Sequence, residues 1–175
     1  GLRIPPLLLE REGRRDQTLL ALIERNVRLP RDFYGDLEAQ LTACRLGEKR
    51  LRALTGRYGA DVLAITMENL LDRSERMARA EIAAIPDGTY TFEDWLDNDG
   101  QGGPPQRLCV TVRIEGDELT ADFTGTSSQV PTAINSPLAY SRSAFYLAVR
   151  SIMSPEIPNT AGFFRPLHMV APEAR

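Results

Sequence analysis

Short hydroxyl, amide and carboxyl side chains are concentrated between residues 121 and 153. Asp122 ends an apolar strand pattern, and Thr124 and Thr126 follow it directly. Asn135 lies further along the same loop, and Arg142 falls on the first turn of a helix pattern. Such groups can orient a substrate amide, and an arginine beside unpaired helix N–H groups can bind a carboxylate or another anion. The same side chains can equally form turns, caps or buried hydrogen bonds, and the sequence leaves both interpretations open.

A second and weaker group of polar residues lies on one long helix pattern. Asp36 and Gln40 share a stripe with Ala43 and Gly47, and Arg45 lies close by. A glycine inside a helix costs about 1 kcal/mol relative to alanine, so Gly47 predicts close approach of another backbone. Asp36 and Gln40 would then be hydrogen-bonded inside that contact or would face a ligand, and the pattern favours the structural role.

The scarcity of histidine limits the chemistry that the chain can perform. His168 is the single histidine, so a histidine metal site, a Ser-His-Asp triad or a histidine base would depend on that one residue. No phosphate-binding loop and no dinucleotide-binding glycine motif occurs. Cys44 and Cys109 lack the spacing of metal ligands, and each is predicted to be a small core residue. We therefore assign no catalytic residue and no metal ligand from the sequence.

Composition narrows the class of protein. The net charge is −3, and acidic and basic residues are interspersed. Without a basic stripe interleaved with aromatic residues, nucleic acid is not an expected partner. No apolar run reaches the roughly 18 residues that span a bilayer, and the first residues lack the apolar core of a signal peptide. We expect a cytoplasmic protein with no membrane contact.

The first half of the sequence is mainly helical. After a short strand at Leu7–Leu9, three helices are predicted over residues 16–27, 30–58 and 61–85, with Asp16 as the first N-cap. The second and third should form an antiparallel hairpin because their connection is short. Their predicted buried residues are Leu19, Leu20, Ile23 and Val27 in the first helix, Leu37, Leu41, Cys44, Leu51, Leu54 and Tyr58 in the second, and Leu63, Met67, Leu70, Leu71, Met77 and Ile82 in the third.

The second half changes to a strand pattern at residues 85–88. Strands are predicted over 89–96, 107–115 and 119–123 as an antiparallel meander, followed by a helix over 138–153 and a strand over 167–170. The helix should bury Leu138, Phe145, Leu147, Val149 and Ile152. The acidic loop 97–105 is predicted to be a hairpin connection. A calcium loop is the alternative, but the twelfth residue from Asp97 is Leu108 instead of the required glutamate.

The predicted fold class is α+β, with a helical hairpin region followed by a small antiparallel sheet packed with one helix. Residues 1–86 form the helical region and residues 87–175 the α+β region, and we expect them to share one core. Both ends are extended and rich in proline, so the chain is expected to be an interior piece of a larger domain.

Several short patterns resemble the hydantoinase B/oxoprolinase family when they are taken together. Each pattern is weak alone, and their common order and spacing are specific. They lie at residues 1–6, 35–40, 45–51, 58–59, 74–76, 86–90, 122–127, 134–137, 142–144 and 158–166. The family includes the B subunits of ATP-dependent N-methylhydantoinases, the corresponding half of 5-oxoprolinases, and related acetone carboxylase alpha subunits.

The resemblance implies a hydrolase that acts on a cyclic amide and consumes ATP. It implies that a hydantoinase A-type subunit or fused half supplies the ATP site, and that a divalent metal of the whole protein has ligands outside this chain. The chain alone is then expected to be inactive. The alternative is a self-contained, non-enzymatic α+β module that binds a small ligand or a protein through the loop after Phe123.

Overall fold

A computed structural model describes residues 4–172 and divides the chain into two compact units, one running to Leu63 and the other starting at Ala64. The first three residues of the pattern at 1–6 lie outside the described part of the chain. The boundary predicted near Pro86 falls within the second unit, and the shared core stays a prediction.

The first unit opens on a very small hairpin. Strands β1 (Glu10–Arg11) and β2 (Arg14–Arg15) pair antiparallel across the two-residue turn Glu12-Gly13. Both turn residues have positive φ, 51° and 76°, as a type I′ turn requires. The strand predicted at Leu7–Leu9 is wrong, because this turn places the paired residues in the charged segment that follows it.

Two helices follow in the first unit. Helix α1 (Gln17–Asn26) begins as predicted, with the Asp16 carboxylate accepting the N–H of Leu19 at 2.9 Å, and it buries Leu20 and Ile23. Helix α2 (Pro30–Tyr58) has the predicted bounds, with proline at its first position.

Helix α2 buries none of its residues, which corrects the predicted core. Leu37 and Leu41 are half-buried, whereas Cys44, Leu51, Leu54 and Tyr58 are exposed. The apolar pattern is therefore present, but no described element of the first unit covers that side of the helix.

Helix α3 (Ala60–Ile82) ends three residues before its predicted end. Its buried residues are Ser74, Ala78 and Ile82, which recur every four positions on one face. The burial predicted for Met67 and Leu70 is wrong, because the buried residues of the helix begin at Ser74 and its earlier turns stay exposed on the same side. The antiparallel pairing of α2 with α3 stays a prediction, since the division between the units falls inside α3.

The sheet of the second unit has the order β3-β4-β5-β6. Strands β3 (Gly88–Leu96), β4 (Gln106–Glu115) and β5 (Glu118–Asp122) form the predicted antiparallel meander. Strand β6 (Leu167–Val170) adds to β5 in parallel, which makes the sheet mixed. The acidic loop 97–105 joins β3 to β4, as the hairpin interpretation requires.

Helix α4 (Leu138–Ile152) packs on this sheet through Phe145 and Val149. The burial predicted for Leu138, Leu147 and Ile152 is wrong. Leu147 lies on the side of the helix away from Phe145, whereas Leu138 and Ile152 lie near the inward stripe but in the exposed end turns. Met153, directly after the helix, joins Phe145 and Val149 in the core. The remaining core residues are Ala78, Ile82, Ile114, Leu119, Ala121, Ile157, Phe163 and Leu167. Cys109 is buried as predicted. No helix within residues 4–172 is both long and apolar enough to cross a bilayer.

Candidate functional site

The loop after β5 is attached to the neighbouring strand by its hydroxyl side chains. The Thr126 hydroxyl donates to the carbonyl of Cys109 at 2.9 Å and accepts the N–H of the same residue at 3.1 Å. Ser127 contacts Arg107 in the same manner, accepting its N–H at 2.8 Å through Oγ and donating its own N–H to its carbonyl at 2.9 Å. Side chain and backbone together therefore continue the pairing along β4 beyond the end of β5.

Asp122 holds the first turn of this loop. Its Oδ1 accepts the N–H of Thr124 at 2.9 Å. The pKa of Asp122 is lowered, mainly by the Thr124 hydroxyl and N–H that hydrogen-bond to the carboxylate, with a further contribution from the charge of Arg113. Asp122 is thus an ionised anchor for the turn, and the exposed Thr124 lies directly beside it.

The next turn of the loop is closed by Asn135. Its Oδ1 accepts the N–H of Val130 at 3.0 Å, and its Nδ2 donates to the carbonyls of Val130 at 2.6 Å and Thr132 at 2.9 Å. All three bonds join the side chain to backbone groups, so the amide fixes the shape of the loop. The second lone pair of Oδ1 is the one hydrogen-bonding position of the side chain that these three bonds leave open.

Arg142 is the candidate whose charged group is left available. It is exposed on α4, and no hydrogen bond or ion pair to it occurs within residues 4–172. The helix begins after Pro137 without a side-chain cap, so the positive end of its dipole also lacks a capping side chain. The structure thus places Asp122, Thr124 and Thr126 in one turn region, with Asn135 shaping the loop before α4.

The second group of candidates lies in the first unit, and Arg45 is the member of it that makes a structural contact among residues 4–172. Arg45 donates to Glu10 at 2.6 Å, which ties α2 to the small hairpin. Asp36 and Gln40 are exposed on α2. The close backbone approach predicted at Gly47 is wrong for the described residues, since a Cβ at this position would meet nothing within 4 Å.

A charged cluster joins α3 to Arg165 and has no predicted role, although two of its residues, Glu75 and Arg165, lie in two of the family patterns. Arg165 donates to Asp72 and Glu75, both at 2.8 Å, and to Glu68 at 3.3 Å. Its pKa is raised by these carboxylates, chiefly Glu75 and then Asp72. Arg79 contacts Glu75 from the other side at 2.9 Å. The sequence points to this cluster only through those two patterns. A pattern does not show which side chains form ion pairs with each other.

The donor set of the described residues does not fit a metal ion. Within residues 4–172 no group of three or more His, Cys, Asp or Glu side chains is arranged to hold one. His168 is exposed on β6, with Nε2 3.4 Å from an oxygen of Glu118. No step of a reaction is therefore assigned to a metal held by these residues.

Comparison with known proteins gives a consistent result. The family described as Hydantoinase B/oxoprolinase matches residues 1–175. A protein of Pseudomonas sp. (strain NS671), described as a putative D-/L-hydantoinase B subunit, is 35% identical over 184 residues, which cover 99% of this chain and 31% of that protein. The chain thus spans about a third of the length of this curated relative.

Two solved structures have the same fold. The crystal structure of the ATP-dependent caprolactamase from Pseudomonas jessenii matches with a TM-score of 0.87 and 33% identity, over 98% of this chain and 30% of that one. Acetone carboxylase in its nucleotide-free state matches with a TM-score of 0.83 over 95% of this chain and 24% of that one, at 15% identity, and shows similarity of fold alone. With the match along its whole length, the chain belongs to the hydantoinase B/oxoprolinase family.

Proposed function

We propose that the chain is part of the B subunit of an ATP-dependent hydrolase that opens a cyclic amide such as a hydantoin or 5-oxoproline. The observation that carries this proposal is the family match over all 175 residues together with 35% identity to a hydantoinase B subunit. The likeness to a structure described as an ATP-dependent caprolactamase supports the same substrate class, because a caprolactam ring is also a cyclic amide.

The proposed reaction needs a partner. A hydantoinase A-type subunit or fused half binds ATP and transfers its γ-phosphoryl group to the amide oxygen, which releases ADP. Water then adds to the carbonyl carbon, and the ring C–N bond breaks as the ring nitrogen takes a proton. A second water hydrolyses the resulting acyl phosphate, which releases phosphate and the carboxylate. Where the whole protein uses a divalent metal, we expect its ligands outside this chain.

Within this chain the loop 122–142 forms one wall of the substrate site. Asp122, Thr126 and Asn135 fix the loop through the backbone contacts described above. Arg142 then contacts the substrate, since its guanidinium has no partner among residues 4–172 and carries a permanent charge. A carboxylate or a polarised carbonyl is the group that such a side chain would hold.

The β3–β4 hairpin favours an assembled enzyme over a self-contained module. Tyr90 and Phe92 lie on the same side of β3, and the pairing of Phe92 with Val110 puts Leu108 on that side of the sheet as well. These three side chains, Tyr90, Phe92 and Leu108, are 47%, 65% and 43% exposed. Large neighbouring apolar side chains in contact with water usually mark a surface that another protein segment covers.

The test is an assay of ADP release with hydantoin, 5-oxoproline and caprolactam as substrates. The subunit carrying this chain, purified with its A-type partner, should release ADP only when one of these cyclic amides is present. The isolated chain of 175 residues should release none. Amide-dependent turnover by the isolated chain, or a complex that none of these amides stimulates, would contradict the proposal.

A further inference from the structure

The side-chain contacts that helix α2 makes with the rest of the first unit, as described over residues 4–63, lie along one side. The Tyr34 hydroxyl donates to the carbonyl of Leu20 at 3.0 Å, Glu38 pairs with Arg15, and Arg45 pairs with Glu10. At about 100° per residue, the three α2 residues fall within roughly 40° of one another around the helix. The contacts with α1 and with the β1–β2 hairpin therefore use a single narrow face.

The opposite face carries an apolar seam that no described residue of the first unit covers. Gln40, Cys44, Gly47, Leu51, Leu54 and Tyr58 fall within roughly 80° of one another by the same rule. Leu51, Leu54 and Tyr58 are 48%, 41% and 50% exposed, and Cys44 is exposed. Ala43, Cys44 and Gly47 place small side chains at the middle of this 29-residue helix, where another helix could approach closely.

Charge is unevenly divided between the two halves of α2. Residues 30–43 carry one arginine and three acids, whereas residues 44–58 carry five basic residues and one acid. Four of these charged residues flank the seam on one side, namely Asp32, Asp36, Arg50 and Arg57. None of the four has an ion-pair partner within residues 4–172. One flank of the seam is thus acidic at its start and basic at its end.

We propose that α2 pairs in the antiparallel direction with α2 of a second copy of the chain, about a two-fold axis close to Cys44. Because an antiparallel two-fold pair brings equivalent flanks together, the acidic start of each helix meets the basic end of the other. The acidic half and the basic half of the contact both lie on α2. A second α2 in the reversed direction therefore places a basic half opposite the acidic half and an acidic half opposite the basic half. Pairing of opposite charges fixes direction and register in this way in two-stranded helical contacts.

The register follows from the axis at Cys44. Along the helix axis, Asp32 of one copy is offset by one residue from Arg57 of the other copy, which is a rise of about 1.5 Å. Asp36 lies two residues from the level of Arg50, and Leu37 lies level with Leu51. The two Cys44 side chains lie level with each other, both at the edge of the seam opposite the charged flank. The contact belongs wholly to the first unit and is independent of the proposed catalytic function.

Oxidative cross-linking tests this geometry. Copper phenanthroline should convert the native chain to a disulfide-linked dimer through Cys44. Cys44→Ser should abolish that dimer, and Cys109→Ser should not, because Cys109 is buried. A chain that stays monomeric on oxidation, or a cross-link that needs Cys109, would overturn the proposal.

Charge reversal tests the direction of pairing by sedimentation equilibrium. Asp36→Arg and Arg50→Asp should each raise the Kd of the dimer about tenfold, since each change acts twice in a two-fold contact. The doubly reversed chain should regain native affinity, and Lys49→Glu, away from the seam, should leave the Kd unchanged. A monomer at every concentration, or a Kd that neither single reversal alters, would refute the antiparallel pair.

Discussion

Gly162 lies directly against the backbone carbonyl of Leu71. A Cβ placed on Gly162 would come within 1.9 Å of the Leu71 oxygen, far inside van der Waals contact. The short 3₁₀ helix Ala161–Phe164 therefore rests on α3 at a distance that only glycine permits. Ser74 and Arg165 attach the same segment to α3 on either side of this contact.

Replacing Gly162 should therefore destabilise the protein. Gly162→Ala should lower the free energy of unfolding by about 3 kcal/mol, because the obstacle is main chain and cannot rotate away. Urea denaturation of the native and variant chains measures this difference.

Gly56→Ala is the matched control, since a Cβ there would meet nothing within 4 Å. That change should be neutral or should stabilise the helix by up to about 1 kcal/mol. Equal effects of the two substitutions would show that the close contact with Leu71 is absent.

Ser74→Ala should also cost stability. Ser74 is fully buried, and its hydroxyl donates to the carbonyl of Pro158 at 2.6 Å. Removing the donor takes away one of the two hydrogen bonds to this carbonyl, which keeps the N–H of Thr160 at 2.9 Å, and should cost about 1 kcal/mol in urea denaturation. Ser143→Ala removes an equivalent bond to the Ala139 carbonyl at an exposed site and should cost less than about 0.5 kcal/mol. If both variants lose the same stability, burial of Ser74 is not the cause.

The charged cluster on α3 should make stability fall in acid. The pKa of Glu75 is lowered in the folded chain, chiefly by the hydrogen bond from Arg165 and next by that from Arg79. The unfolded value is about 4.3, so this stabilisation is complete above that pH and is lost as pH falls through the lower folded value.

Urea midpoints measured at pH 7 and pH 3 test that prediction. The midpoint of the native chain should be lower at pH 3, and the decrease should be smaller in Glu75→Gln. Glu115→Gln, at a carboxylate whose side chain is 77% exposed, should show the native decrease. A Glu75→Gln chain with the full native decrease would rule out a role for this ion pair in acid sensitivity.

The element bounds could largely be predicted from sequence, whereas burial could not. Pro30 and Gly59 bracket α2 with local signals, and the turn at Gly116-Asp117 fixes the register of β4 with β5. Periodicity identifies an apolar face but not what covers it, so Leu51 and Leu147 fit the pattern of buried residues and are nevertheless exposed.

The structural roles of the loop residues could be assigned only from the folded structure. Thr126 bonds to Cys109 and Asn135 to Val130 through backbone groups, whose positions no sequence pattern states. Arg165 meets Glu75 across 90 residues of chain for the same reason. The substrate-binding role of Asp122, Thr124, Thr126, Asn135 and Arg142 stays a prediction.

Asn135 and Arg142 should respond differently to replacement by alanine. Asn135→Ala removes three hydrogen bonds to the loop backbone and should lower the melting temperature. Arg142→Ala should leave the melting temperature unchanged and raise the KM for the cyclic amide at least tenfold in the assembled enzyme, about the value of one charged hydrogen bond. Arg73→Ala, another exposed arginine of the second unit, should change neither quantity. Native kinetics in Arg142→Ala would remove it from the substrate site.

The coupling of ring opening to ATP tests the proposed function most directly. In the subunit that carries this chain, assembled with its A-type partner, ADP and the ring-opened product should be measured in the same reaction by mass spectrometry. The two should accumulate in equal amounts, and neither should form when ATP or the cyclic amide is omitted. Ring opening without ATP, or ADP release at the same rate without the amide, would contradict an ATP-dependent cyclic amide hydrolase.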